Sequence, residues 1–164
     1  TSKFAFTELH TKASKMAAAE FMRNLVKAVP YRIHTVLTDN GIQFTNRTCD
    51  RYASEHIFDR VCTECGIEHR LTKVKHPWTN GQVERMNRTI KEATVKRFHY
   101  DDHTQLCIHL ADFIATYNFD RRLKTLRGLT PYEFICKQWT DEPELFKIDP
   151  IHQMPGLNTF HQTE

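Results

Sequence analysis

Two carboxylates stand where they could work on a phosphodiester. Asp39 follows the apolar run Ile33 to Leu37 in YRIHTVLTDNG and precedes Asn40 and Gly41, so a strand would deliver an acid at its tip and then turn. A charge at a strand end beside a permissive glycine is a common way to meet a ligand, although Asp-Asn-Gly is also what an ordinary turn looks like. Glu84 lies in NGQVERMNRTIKEATVKRF. If a helix begins near Asn80, then Asn80, Glu84, Asn87 and Lys91 recur at i, i+4, i+7 and i+11 and share one face, flanked by Arg85 and Arg88. An acid in a first helical turn ordinarily does no more than compensate the dipole. Here its neighbours are amides and cations suited to phosphate oxygens. Two acids from separate elements can hold divalent cations, and hard oxygen ligands select Mg²⁺ or Mn²⁺ over zinc. In a two-metal arrangement the ions stand about 3.5 to 4 Å apart, one activating the attacking oxygen and the other stabilising the leaving one. The chemistry such a set could do is phosphodiester cleavage and transfer.

The elements that must position these acids follow from periodicity. Lys3 to His10 alternates Phe4 and Phe6 with polar residues and reads as a strand, and Thr11 to Ala28 has the Ala-rich spacing of a helix that stops before Pro30. A strand to Leu37 and the Asp-Asn-Gly turn come next. Thr45 to Glu55 is polar and irregular, a short helix runs to Cys65, and Ile67 to Lys73 reads as another strand. Val74 to Gly81 is a loop broken by Pro77, and three helices are expected after it, over Gln82 to Phe98, over Leu106 to Phe119 and through TPYEFICKQW. The face of the first that carries Val83, Met86, Ile90 and Ala93 should pack inward. Thr130 should cap the third, with Pro131 at its first position and Glu133 closing a capping box. Residues 140–164, with Pro143, Pro150 and Pro155, cannot form one regular element and are expected as an irregular, extended tail behind a core of residues 1–139.

Composition bounds the class. The 164 residues are 40% hydrophobic and 26% charged, enough for one core and too few for two. A net charge of +3 permits a nucleic-acid partner without demanding one. No stretch approaches the roughly 18 apolar residues of a membrane span, and the N-terminus lacks a signal-peptide core, so a soluble cytoplasmic protein is expected. Five scattered cysteines suit reduced thiols. His56, Cys62, Cys65 and His69 do place a C-x-x-C between two histidines, which raises a zinc-containing binding module as an alternative. The competing reading makes Ile57, Phe58, Val61, Cys62 and Cys65 the apolar stripe of a helix that stops at Gly66, with His69 already in the next strand and no metal bound.

Three ordered stretches carry a family resemblance: TDNGIQFTN, then GIEHRLTKVKHPWTNGQVERMNRTIKE, then YNFDRRLKTLRGLTPYEF. Together they resemble the catalytic core of insertion-sequence transposases with a retroviral-integrase-type domain, the DDE recombinases of ribonuclease H-like α/β fold. The tail IDPIHQMPGLNT is similar to the ends of bacterial members. The resemblance implies metal-dependent DNA cleavage and strand transfer, with Asp39 as the second acid and Glu84 as the third. It implies Asn80 near the transferred end, Asn87 and Lys91 facing transposon-end DNA, and Lys75 to Gly81 as a loop over the site. Lys73, Lys75, Arg85 and Arg88 would add positive charge around it. The implied cofactor is Mg²⁺ or Mn²⁺, two ions in an intact site, and the implied partners are transposon-end and target DNA and further copies of the chain. A nucleoid-associated bacterial protein is expected.

The chain departs from the family pattern twice. Between Asp39 and Glu84 lie 44 residues, more than the family's usual spacing, and the excess fits a surface insertion within Asn46 to Asp59. No Asp precedes Asp39; Glu8 and Glu20 are the only earlier acids, and neither lies where the first acid belongs. The chain, which begins without Met, is therefore expected to start after the first two strands of the sheet, and to be inactive by itself. A catalytically incomplete remnant that only binds DNA or a partner is the second alternative.

Overall fold

Residues 2–46, 55–72 and 81–151 are described in the computed structural model. Their contacts divide the chain into two units, one of Glu8–Met86 and one of Thr1–Thr7 with Asn87–Glu164.

In the Glu8–Met86 unit, helix α1 (Lys15–Ala28) starts where the Ser14 hydroxyl accepts the Ala17 N–H at 3.1 Å, and it ends as Val29 turns extended before Pro30. Strand β1 (Thr35–Thr38) pairs in parallel with β2 (Glu68–Leu71), Thr35 opposite Glu68 and Thr38 opposite Leu71. Between them runs α2 (Ile57–Glu64). It ends at Gly66, whose φ of 67° only glycine adopts without penalty. The Gly66 N–H donates to Thr63 O at 3.0 Å and the Ile67 N–H to Cys62 O at 2.8 Å, a two-bond lock that turns the chain into β2. Ala19 and Met22 of α1 close on Phe58, Val61 and Cys62 of α2 and on Ile67, with Val36, Phe44 and Leu25 packed around them. Each large apolar side chain buried this way stabilises by about 1.5 to 3 kcal/mol, so β1 rests on a firm base.

Helix α3 (Gly81–Ala93) crosses the division at Met86. In the other unit α4 (His103–Phe119) is capped by Asp102, which accepts the Gln105 N–H at 2.8 Å, and α5 (Pro131–Asp141) packs against it. Both bonds of the capping box form: Glu133 N–H donates to the Thr130 hydroxyl at 3.1 Å, and the Thr130 N–H to the Glu133 carboxylate at 2.8 Å. Leu110, Ile114, Leu126, Ile135 and Phe146 are buried, and the Phe119 and Tyr132 rings meet at 4.8 Å.

The expected strand over Lys3 to His10 is absent. Lys3 takes a left-handed φ of 59°, and the Ala5 N–H donates to Asn118 Oδ1 at 2.9 Å while Asn118 Nδ2 donates to Ala5 O at 2.7 Å. A buried side-chain amide from α4 therefore takes the place of a neighbouring strand. Helix α1 begins at Lys15 rather than Thr11, with Ser14 as the residue whose hydroxyl caps it. Helix α3 stops short of Phe98: the Lys96 N–H reaches back five residues to Lys91 O at 3.0 Å, and the Thr94 hydroxyl takes Ile90 O at 2.7 Å. Past α5 a 3₁₀ turn at Pro143–Leu145 leads to Phe146 and Pro150, both buried.

Candidate active site

The tip of β1 is knit into its surroundings. Asp39 follows the last residue of the strand, is exposed, and accepts the Gly41 N–H on Oδ1 at 2.8 Å. Asn40 Nδ2 donates to Thr72 O at 3.0 Å, and the Thr72 N–H donates to Thr38 O at 2.8 Å, so the ends of both strands are tied together where Asp39 emerges. The sequence suggested a permissive glycine for this turn, but Gly41 has no left-handed φ. A Cβ there would stand 2.5 Å from Gln43 Nε2, the far end of a flexible side chain that can swing aside. Edges outside the carboxyl ends of parallel strands are where α/β sheets receive ligands.

Beneath the tip lies a set of polar groups. Thr38 Oγ1 is 2.7 Å from His69 Nε2 and 3.1 Å from the Asp39 carbonyl, and His69 Nδ1 is 2.6 Å from Asp59 Oδ1. The His69 side chain is 7% exposed and stands edge-on to Phe58, ring centroids 4.9 Å apart. On the outer face of β2, Arg70 bonds Glu68 at 2.7 Å and holds its carboxyl below the usual range.

Glu84 lies in the first turn of α3 and is exposed, as are Arg85, Asn87, Arg88 and Lys91. The helix is continuous through them, so Glu84, Asn87, Arg88 and Lys91 fall along one side. Met86, Ile90 and Ala93 are half-buried, but Val83, which was expected to turn inward with them, is 61% exposed, and α3 buries no residue fully. Asp39 and Glu84 belong to the same unit. Lys73, Lys75 and Asn80, with most of the expected loop over the site, fall outside the described residues.

The zinc alternative meets occupied ligands. The Phe58 N–H donates to His56 Nδ1 at 3.2 Å, which leaves Nε2 with the hydrogen 3.3 Å from Ile42 O, and both nitrogens of His69 are engaged as above. Burial, then Asp59 and Cys65, push the Cys62 thiol up to about 11, whereas a metal needs the thiolate. Among the described residues no three His, Cys, Asp or Glu side chains are grouped to hold a metal, and no helix is long and apolar enough to cross a membrane. The donors at Asp39 and Glu84 are hard oxygens, which fit Mg²⁺ or Mn²⁺ in kind.

Residues 65–131 match the Integrase core domain family. The chain is similar to the uncharacterized protein K02A2.6 of Caenorhabditis elegans, 26% identical over 163 residues, and to the protein named "Putative integrase ORF3" of Spiroplasma virus SpV1-C74, 29% identical over 126 residues. These alignments take in 98% and 75% of this chain but only 12% and 34% of the relatives' lengths. Its fold is like that of the catalytic core domain of BIV integrase, with a TM-score of 0.60, 20% identity, and 86% of this chain and 84% of that one covered. These likenesses support an integrase-type core.

In an integrase-type core the fold is ribonuclease H-like, and the described part here is a mixed helix and strand structure around a small parallel sheet. The sequence pointed to Asp39 and Glu84 and missed the groups under the strand tip. Nothing in the spacing of Asp59, His69 and Thr38 marks them as partners, because the parallel register and the packing of α2 are what bring them together.

Proposed function

We propose that the chain is part of a DDE transposase or integrase that cuts DNA and joins strands with Mg²⁺ or Mn²⁺. The observation that carries this is an acid, Asp39, presented at the carboxyl end of a parallel strand whose tip is hydrogen-bonded in place within an integrase-type core. Asp39 and Glu84 are the residues that would hold the metal. Bound there, the ions would supply activation of the attacking oxygen and charge stabilisation for the leaving one. The Gly41 N–H occupies Asp39 Oδ1, so Oδ2 would be the oxygen that meets the metal. Along α3, Arg85, Arg88 and Lys91 neutralise backbone phosphates, and Asn87 donates N–H groups to phosphate oxygens. Lys73, Lys75 and Asn80, which precede α3 in the sequence, would add DNA contacts of the same kind. The DNA partners in this reading are transposon ends and target, handled by more than one copy of the chain, in the cytoplasm of a bacterium.

The 164 residues hold two of the three acids such a site needs, so these residues alone should bind DNA and not cut it. Loss of one metal's charge stabilisation, worth several kcal/mol, lowers a rate about a thousandfold at roughly 1.4 kcal/mol per decade. The test is Mg²⁺- or Mn²⁺-dependent nicking and strand transfer by these residues and by a longer product of the same reading frame. The longer protein should be active, and Asp39→Asn or Glu84→Gln should each abolish its activity. Activity that survives both substitutions would refute the assignment, and a longer protein that binds DNA without cutting it would leave the binding remnant as the correct reading.

A further inference from the structure

We propose that Asp59, His69 and Thr38 form a positioning relay that fixes the main chain of Asp39, an inference that rests on Asp39 being a site acid. All four residues lie in the Glu8–Met86 unit, and three successive contacts of 2.6, 2.7 and 3.1 Å lead from the Asp59 carboxylate through the His69 ring and the Thr38 hydroxyl to the Asp39 carbonyl.

Hydrogen accounting gives the relay its direction. The Asp39 carbonyl can only accept, so the single hydroxyl hydrogen of Thr38 is committed to it. The Thr38 oxygen must then accept from His69 Nε2, and the Asp59 carboxylate accepts from Nδ1. All three contacts are hydrogen bonds together when both ring nitrogens carry hydrogen. Without the Nε2 hydrogen, the hydroxyl would turn to the ring and release the Asp39 carbonyl. Burial makes the choice consequential: Thr38 is 9% exposed and the His69 side chain 7%, so water is a poor substitute for either partner. Phe58, 2% exposed, backs the ring and holds its plane.

The same distances could ready a threonine hydroxyl for nucleophilic attack. That use is closed off here, because Thr38 is buried and its hydroxyl hydrogen points at a backbone carbonyl of its own turn. The outcome is geometric. The acid's main chain is held from below by Thr38, its side chain is held by the Gly41 N–H, and Asn40 is held by Thr72 O.

Amide hydrogen exchange of the 164-residue protein reads this without metal, DNA or turnover. Thr38→Val keeps the shape and removes the hydroxyl; Thr38→Ser keeps the hydroxyl. His69→Phe keeps an aromatic ring against Phe58, and His69→Gln restores one donor toward Thr38. The Gly41 and Thr72 amides, which close onto Asp39 and Thr38, should exchange about fivefold faster in Thr38→Val and His69→Phe, the factor one intramolecular hydrogen bond provides. Thr38→Ser and His69→Gln should return toward the parent rate, and the Val29 amide at the far end of α1 should stay within twofold throughout. Uniform acceleration, Val29 included, would show a merely structural role, and unchanged Gly41 and Thr72 amides would show no role; either overturns the relay. Mn²⁺ titration of the DNA-bound protein, followed by broadening of the Gly41 signal, separates the two proposals: no broadening in the parent complex would sink the metal assignment and leave the exchange result standing.

Discussion

Asn118→Ala tests the substitution of a side-chain amide for a strand. Asn118 is 3% exposed and makes both hydrogen bonds to Ala5, at 2.9 and 2.7 Å. Each such bond contributes about 1 kcal/mol net, and a buried amide also loses its packing when truncated, which together give about 2 to 3 kcal/mol. Ala5 is only half-buried, so its freed N–H and C=O regain some water and the loss should fall at the lower end. With a urea slope of about 2 kcal/mol/M, the unfolding midpoint should drop by roughly 1 M. Asn118→Asp should be worse at neutral pH: it keeps the acceptor for the Ala5 N–H but sets a carboxylate oxygen against the Ala5 carbonyl. Part of that loss should return as the pH falls toward about 4, because burial against a carbonyl raises the acid's pKa and its protonated form can donate. Urea titration with amide exchange at Ala5 is the assay. A variant with the parent midpoint and an Ala5 amide no faster than before would show that the clamp holds nothing.

Gly66→Ala should cost about 1 to 2 kcal/mol from backbone strain alone, since φ is 67° and a Cβ there meets nothing within 4 Å; Gly66→Asn should recover part of it, and thermal melting decides. Cys62 should alkylate more slowly than exposed Cys65 at pH 8, as mass spectrometry of labelled peptides would show, because burial raises its thiol to about 11. The unfolded thiol titrates near 9, so the unfolded chain loses this proton first. The stabilising contribution is complete below pH 9 and is lost between 9 and 11, a decline that should be shallower in Cys62→Ala.

Local chemistry was legible in the sequence, and partner choice was not. Thr130, Pro131 and Glu133 spell a helix start within four residues, and the capping box forms as read. Gly66 likewise ends α2 where its missing Cβ predicts. Phe4 and Phe6 alternate as strand residues do, yet a period of two reports only which way side chains point. It is silent on what bonds the backbone, and here that is an amide 113 residues away. His69 shows the same limit. By spacing it belonged with Cys62 and Cys65 as a possible ligand, but its nitrogens meet Asp59 and Thr38 through the packing of α2 and the pairing of β1 with β2. Asp39 and Glu84 could each be assigned to an element, because strand tips and helix faces are local patterns. The distance between them is a tertiary quantity that no spacing along the chain encodes.

The two acids sit on supports of different stiffness, and this shapes how the proposed site would bind. Asp39 is fixed by bonds from Gly41 and Thr38 and by the Asn40 bond to Thr72, on a strand backed by the buried cluster of α1 and α2. Glu84 rides the first turn of a helix that buries no residue fully and leaves Val83 61% exposed. Elements with little buried apolar area open at low free-energy cost, and whatever binds across them must supply the ordering. Phosphates along Arg88 and Lys91 are suited to supply it, because they load the same helix that carries the acid. DNA binding would then restrict Glu84 while Asp39 is already in place. A cation would gain its second ligand with the substrate present, a coupling that favours metal-dependent chemistry on bound DNA over metal capture by the protein alone.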